Sequence, residues 1–123
     1  MTAKDFRINN WVESFFQPGR PQQIELITKK YVELSAGERL FFLENEVVPI
    51  KVSKEILLAA GFRENHTNTA LVIDNWFLLE YNNLYGCYAF VIGHNRPPVP
   101  LSKVHRLQNF YYEMSGKELN IVL

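Results

Sequence analysis

A single cysteine, Cys87, stands in the 123 residues. One thiol excludes an intramolecular disulfide and any site that needs two thiolates. Long apolar runs are missing too. The longest drawn only from hydrophobic residues is Cys87 to Ile92, far short of the about 20 that a membrane-spanning helix requires. The opening, Met1-Thr2-Ala3-Lys4-Asp5-Phe6-Arg7, meets a charged pair before any apolar segment, so no signal-peptide core follows it. With the lone thiol, this predicts a soluble chain in a reducing cytoplasm, without a membrane partner.

Net charge is absent as well: 13 basic residues balance 13 acidic ones. That removes the bulk attraction which a strongly basic domain has for nucleic acid or anionic lipid. No Gly-x-Ser-x-Gly elbow occurs. Ser115-Gly116-Lys117 lacks the upstream glycine and the following Ser or Thr of a phosphate loop. His66, His94, His105 and Cys87 are the soft or borderline metal ligands, and no two stand at helical or Cys-x-x-Cys spacing. A zinc site would have to be assembled wholly by the fold, so no metal and no cofactor are expected. Cys87 itself lies in Tyr85-Gly86-Cys87-Tyr88-Ala89-Phe90, where a small buried residue of a central strand is the expected role.

What is present reads as one α+β domain over residues 1–123, with a β-rich half at 1–50, small-barrel-like in one form it can take, and an α+β half at 51–123. Strands are expected from Phe6 to Phe16, with a bend or break at Asn9-Asn10, then at Gln23 to Thr28, Tyr31 to Leu34 and Leu40 to Leu43. Pro18-Gly19-Arg20-Pro21, Lys29-Lys30 and Ser35 to Glu38 separate them as turns. A short helix follows from Lys54 to Ala60. Ser53 caps it, Glu55 sits in its first turn and Gly61-Phe62 closes it. An antiparallel meander is expected at Ala70 to Asp74, Trp76 to Asn82 and Tyr85 to Ile92, its last strand covered on both faces.

Gly93 to Pro100 reads as a Pro-rich connector, with a Pro-x-x-Pro able to act as a polyproline ligand as the alternative. It enters the longest helix, Lys103 to Met114, with Ser102 as cap. Val104, Leu107, Tyr111 and Met114 form its core stripe. Lys117 to Leu123 then extends as a closing strand with Leu119 and Ile121 on one face.

Two stretches carry a resemblance. The ending His105-Arg106-Leu107-Gln108-Asn109-Phe110-Tyr111-Tyr112-Glu113-Met114-Ser115-Gly116-Lys117-Glu118-Leu119 resembles a His-x-Leu-Gln-Asn-x-Tyr helix followed by Ser/Thr-Gly-x-Glu-Leu. The opening Arg7-Ile8-Asn9-Asn10-Trp11-Val12 resembles Arg-Ile-Gly-Asn-Trp/Tyr-Val, with Asn9 in place of glycine. Pro49-Ile50 and the Ser53 to Phe62 helix match the middle. These are signatures of a family of small uncharacterised proteins from Bacteroidetes-type genomes and their mobile elements. The resemblance spans nearly the whole chain and implies a bacterial or phage-type system, but no activity and no catalytic residues. Asn9 suits a position with positive φ, where Asn is the residue next best to Gly.

Candidate sites are few. No acidic residue lies between Glu80 and Glu113, whereas Arg96, Lys103 and Arg106 are basic there. With the N-terminal turn of the last helix, these three could contact a phosphate, a nucleic acid or an acidic partner, or form an ordinary solvated face. On that helix His105, Asn109 and Tyr112 share a second stripe. One reading is a small catalytic site, with His105 as acid or base, Asn109 orienting a ligand and Tyr112 donating a proton. The other is a structural hydrogen-bonded strip. The surplus aromatics Phe15-Phe16, Tyr31, Phe41-Phe42 and Trp76 point to a second surface, either within the chain or for a protein partner or homo-oligomer. Taken together, the sequence favours a non-enzymatic interaction or accessory protein, with weak polyanion binding and a small His105/Tyr112 enzyme as alternatives.

Overall fold

The computed structural model describes residues 1–65, 70–93 and 95–123. A 3-10 turn at Ala3–Asp5 is followed by strands β1 (Trp11–Ser14), β2 (Gln17–Ile27), β3 (Tyr31–Leu34), β4 (Arg39–Phe41) and β5 (Val47–Pro49). Helix α1 (Lys54–Ala59) leads into β6 (Arg63–Glu64), β7 (Ala70–Ile73), β8 (Phe77–Asn82), β9 (Cys87–Phe90) and β10 (Val99–Pro100). Helix α2 (Val104–Ser115) comes last. The class is α+β. Two compact units divide the chain, Met1–Lys51 with Lys103–Leu119, and Val52–Ser102 with Asn120–Leu123. The long helix, grouped with the second half on sequence, thus belongs with the N-terminal strands.

In the first unit the strands form one curled, half-barrel sheet in the order β4-β3-β2-β1-β5, all pairs antiparallel. Period-two alternation puts Val12, Ile24, Val32, Leu34, Leu40 and Val47 in its core, with Phe6 and Phe42. Each large aliphatic side chain buried this way contributes about 2 kcal/mol. The glutamate of Glu46 ties the two edge strands' surroundings together. Its Oε1 accepts the Phe41 N–H at 2.9 Å, and its carbonyl accepts the Phe15 N–H at 2.9 Å.

Several expectations need correction here. The first strand begins only at Trp11 and not at Phe6, the chain breaking at Asn9-Asn10, one of the two outcomes expected there, because Asn9 takes φ 78° and turns the chain. The hairpin turn is Phe15-Phe16, with the Ser14 hydroxyl accepting the Phe16 N–H at 3.0 Å, and Pro18 to Pro21 lies within β2. The pairing slips there, from Ser14 opposite Gln17 to Val12 opposite Gln22, so this segment bulges from the ladder. Proline tolerates that position since it has no N–H to pair. Strand β5 carries no signal in the sequence, as three residues ending in Pro49 are too short to show alternation.

Helix α2 also departs from expectation. Its N-cap is Lys103, not Ser102, and no side chain caps it; the Val104 N–H instead donates to the Ile50 carbonyl at 2.8 Å. Met114 is exposed rather than in the core. At about 100° per residue it sits about 80° from Val104, at the rim of the buried arc. Residues Lys117 to Leu123 form no strand, although Leu119 and Ile121 are buried as their alternation suggests. Burial of two side chains anchors this tail without a ladder of backbone bonds.

In the second unit the sheet order is β10-β9-β8-β7-β6. Helix α1 forms where its end signals agree. The Ser53 hydroxyl accepts the Ile56 N–H at 3.3 Å, Gly61 takes φ 103°, and the Phe62 N–H reaches back to the Leu57 carbonyl at 3.0 Å. That last pair is the closing bond of a Schellman motif. Asp74 and Asn75 both have positive φ, as the β7–β8 turn demands. The Asn82 side chain accepts from Leu84 and Tyr85 to make the next turn. Interior strand β9 buries Cys87, Ala89 and Phe90, and Phe90 stacks on Phe77 at 4.6 Å. Val99–Pro100, expected as connector, pairs with β9 as a two-residue edge strand. Among the described residues no helix is long and apolar enough to cross a membrane.

Candidate functional site

The polar stripe of α2 meets the segment before β1. Arg7 places its guanidinium across both ends of that contact. Its Nε donates to Asn109 Oδ1 at 3.0 Å, and its two terminal nitrogens donate to Glu118 at 2.6 and 3.2 Å. The same guanidinium lies 4.2 Å from the Tyr112 ring centre. Bidentate pairing to a carboxylate and stacking on an aromatic face both require Arg rather than Lys.

Beneath it, Asn10 and Gln108 are almost fully buried. Asn10 Oδ1 accepts the Arg7 N–H at 2.7 Å, and its Nδ2 donates to Asn109 Oδ1 at 2.8 Å. Gln108 Oε1 accepts the Trp11 N–H at 2.9 Å, and its Nε2 donates to the Asn9 carbonyl at 3.2 Å. The Asn9 and Asn10 amides donate to the carbonyls of Ile24 and Arg7. Around the buried Asn10, the amides of Arg7, Asn9, Asn10 and Trp11 are thus all satisfied although residues 7–10 form no helix or strand, which is the condition for burying irregular backbone at all.

His105 stands at the N-terminal end of this stripe. It is 4% exposed and stacks on Phe6 at 4.5 Å, and its Nδ1 has no hydrogen-bond partner. Burial is the main cause that pushes its pKa down to about 4, with repulsion from Arg106 added; Asp5 acts the other way and Lys103 adds to the lowering. The imidazole is thus neutral at pH 7. Tyr112 is exposed and seven residues further on, about 10 Å along the helix axis. Asn109 lies between them, with its oxygen taken by Arg7 and Asn10 and its nitrogen donating to the Asp5 carbonyl at 3.3 Å. The three residues share a face whose partners are the N-terminal segment.

The basic residues are placed separately. Lys103 and Arg106 belong to the first unit, Arg106 exposed and Lys103 at the α2 N-cap. Arg96 belongs to the second unit, where it lines a cleft of about 190 Å³ with Glu80, Tyr81, Asn82 and Val91. Cys87 is a free, buried thiol. Among the described residues no group of three His, Cys, Asp or Glu side chains is arranged to hold a metal ion; His66 and His94 lie outside the described residues.

The aromatic surplus divides between core and surface. Phe42 is buried, whereas Phe15, Phe16, Phe41 and Trp76 are exposed. Phe41 and Leu43 border a surface groove of about 420 Å³ in the first unit, shared with Met1, Phe42, Lys29 and Lys30. Sequence reasoning missed Gln108 and Asn10 as the centre of the polar network. Gln108 falls between Val104 and His105 on the helical wheel, about 40° from Val104, inside the buried arc whatever its chemistry. Comparison with protein-family models, curated proteins and solved structures returns no significant match.

Two outcomes follow. Gln108→Leu leaves the part-buried Trp11 N–H without its acceptor, while the Asn9 carbonyl keeps the Gln23 amide at 3.1 Å, a loss of about 1 to 3 kcal/mol in urea denaturation; Tyr112→Phe costs under about 0.5 kcal/mol. For His105, the folded-state pKa lies below the unfolded value near 6.5. Below that pH the unfolded chain takes up a proton that the folded chain does not. Stability from this group is therefore full above about pH 6.5 and is lost as pH falls toward 4. Denaturation midpoints between pH 7.5 and 5 should decline in the wild type, and decline less in His105→Phe.

Proposed function

We propose that this chain is a non-enzymatic interaction protein, of the bacterial or phage-type setting its terminal motifs suggest, acting through the apolar surface of its first unit. The observation that carries this reading is the groove beside Phe41 and Leu43. Leu43 is 95% exposed, and it stands next to further exposed apolar side chains rather than alone. An apolar patch held open to water is costly to keep unless it is covered by a partner. The polar stripe, by contrast, spends its hydrogen bonds inward. A general base works best with a pKa near the operating pH, which a neutral, stacked His105 does not offer.

Polyanion binding through Arg96, Lys103 and Arg106 is the competing reading, and one pull-down separates the two. The bait is the tagged chain in extract of bacteria that also express an untagged copy, with and without nuclease. The expected result is a protein partner that survives nuclease, persists with Arg96→Ala/Lys103→Ala/Arg106→Ala and is lost with Leu43→Asp. Material captured only without nuclease, and lost with the triple variant, would move the function to polyanion binding.

A further inference from the structure

The groove in the first unit has two lips. One is the turn carrying Lys29 and Lys30 between β2 and β3; the other is the turn at residues 42–45, carrying Leu43 and Glu44. The lips are fastened to each other, since the Phe42 N–H donates to the Lys30 carbonyl at 3.0 Å. The second turn is itself fixed. The Asn45 N–H returns to the Phe42 carbonyl at 3.0 Å, Asn45 takes φ 56°, and Glu46 holds the Phe41 N–H. Leu43 is thereby presented on a braced turn, so little ordering entropy is lost when it docks.

Charge decides what fits. Lys29, Lys30 and Glu44 are all exposed, and none has an ion-pair partner among the described residues. A wholly acidic partner would satisfy the lysines and meet Glu44; a basic one would do the reverse. The matching surface must offer an apolar knob with an acid beside it, and two bases across a hollow. The patch itself has that composition. A two-fold axis brings each Leu43 into the other copy's hollow and each Glu44 to the other copy's lysines, the self-complementarity that an isologous contact requires.

Resting on the interaction reading above, we infer that the occupant of this groove is a second copy of the chain, paired through Leu43 and Glu44 on one copy against Lys29, Lys30 and Phe41 on the other. The charges set register and partner choice, and the apolar contact supplies the affinity.

Sedimentation equilibrium on the full chain, from micromolar to high-micromolar concentration, tests it. The wild type should approach twice the 14.4 kDa chain mass. Glu44→Lys alone, and Lys29→Glu/Lys30→Glu alone, should each weaken association by about tenfold or more. Mixing those two variants in equal amounts should restore the dimer, since each charge then meets its opposite across the axis. All substituted side chains are exposed, and unchanged thermal melts of the variants verify that the fold is intact. A dimer that ignores both reversals, or a mixture that stays monomeric, overturns the inference. A wild type that stays monomeric throughout also overturns it. If Leu43-dependent capture of another protein then persists, the interaction reading survives; if that capture is absent too, both fall.

Discussion

Burial of Asn10 within an irregular backbone segment is the constraint on which the first unit depends. Residues 7–10 lie outside the regular ladder because Asn9 turns the chain, yet Asn10 is fully covered. Without substitute partners each orphaned N–H or carbonyl there would cost about 1 to 3 kcal/mol. Gln108 and Asn109 supply those partners from about one hundred residues away in sequence, and Arg7 with Glu118 closes the rim. The rim pair is partly exposed, so its worth lies in geometry more than in Coulomb energy. The inner amides carry the stability.

This arrangement explains why two motifs that stand out in the sequence stand out together. Arg7-Ile8-Asn9-Asn10-Trp11 and His105 to Leu119 are the two faces of a single contact, each residue pattern meaningful only against the other. A polar stripe with His, Asn and Tyr at helical spacing has the composition of an active site. Here Asn109 bonds to Arg7, Asn10 and the Asp5 carbonyl, His105 stacks on Phe6, and Tyr112 lies exposed against the Arg7 guanidinium. His105 adds a stacked ring to the Phe6 and Phe42 pair, and its burial, with Arg106 nearby, makes it sensitive to acid.

Elements bounded by agreeing local signals were legible in the sequence. Helix α1 has a capping serine, an acidic first turn and a glycine stop, and its limits fall where those signals place them. The meander followed from Asp74-Asn75 and Asn82-Asn83 between apolar runs. Long-range decisions were not legible. Pro18-Gly19-Arg20-Pro21 carries every local mark of a turn, yet a bulge absorbs it because the pairing of β1 with β2 continues on both sides. Ser102 is a good cap by type, but the Ile50 carbonyl, brought by the fold, takes the amide it would have shared. The same holds for the site. His105, Asn109 and Tyr112 were identified from spacing, while Gln108 was passed over because a polar residue on a core arc gives no sign of its partner until Asn9 and Trp11 are placed beside it.

Native-state hydrogen exchange at the Trp11 amide tests the central claim directly, because that proton is donated to a side chain and not to a ladder. If Gln108 holds the segment, the Trp11 N–H exchanges about as slowly as the buried amides of β2 and opens only with global unfolding. Fast exchange, at the rate of a frayed terminus while β2 stays protected, would contradict the account.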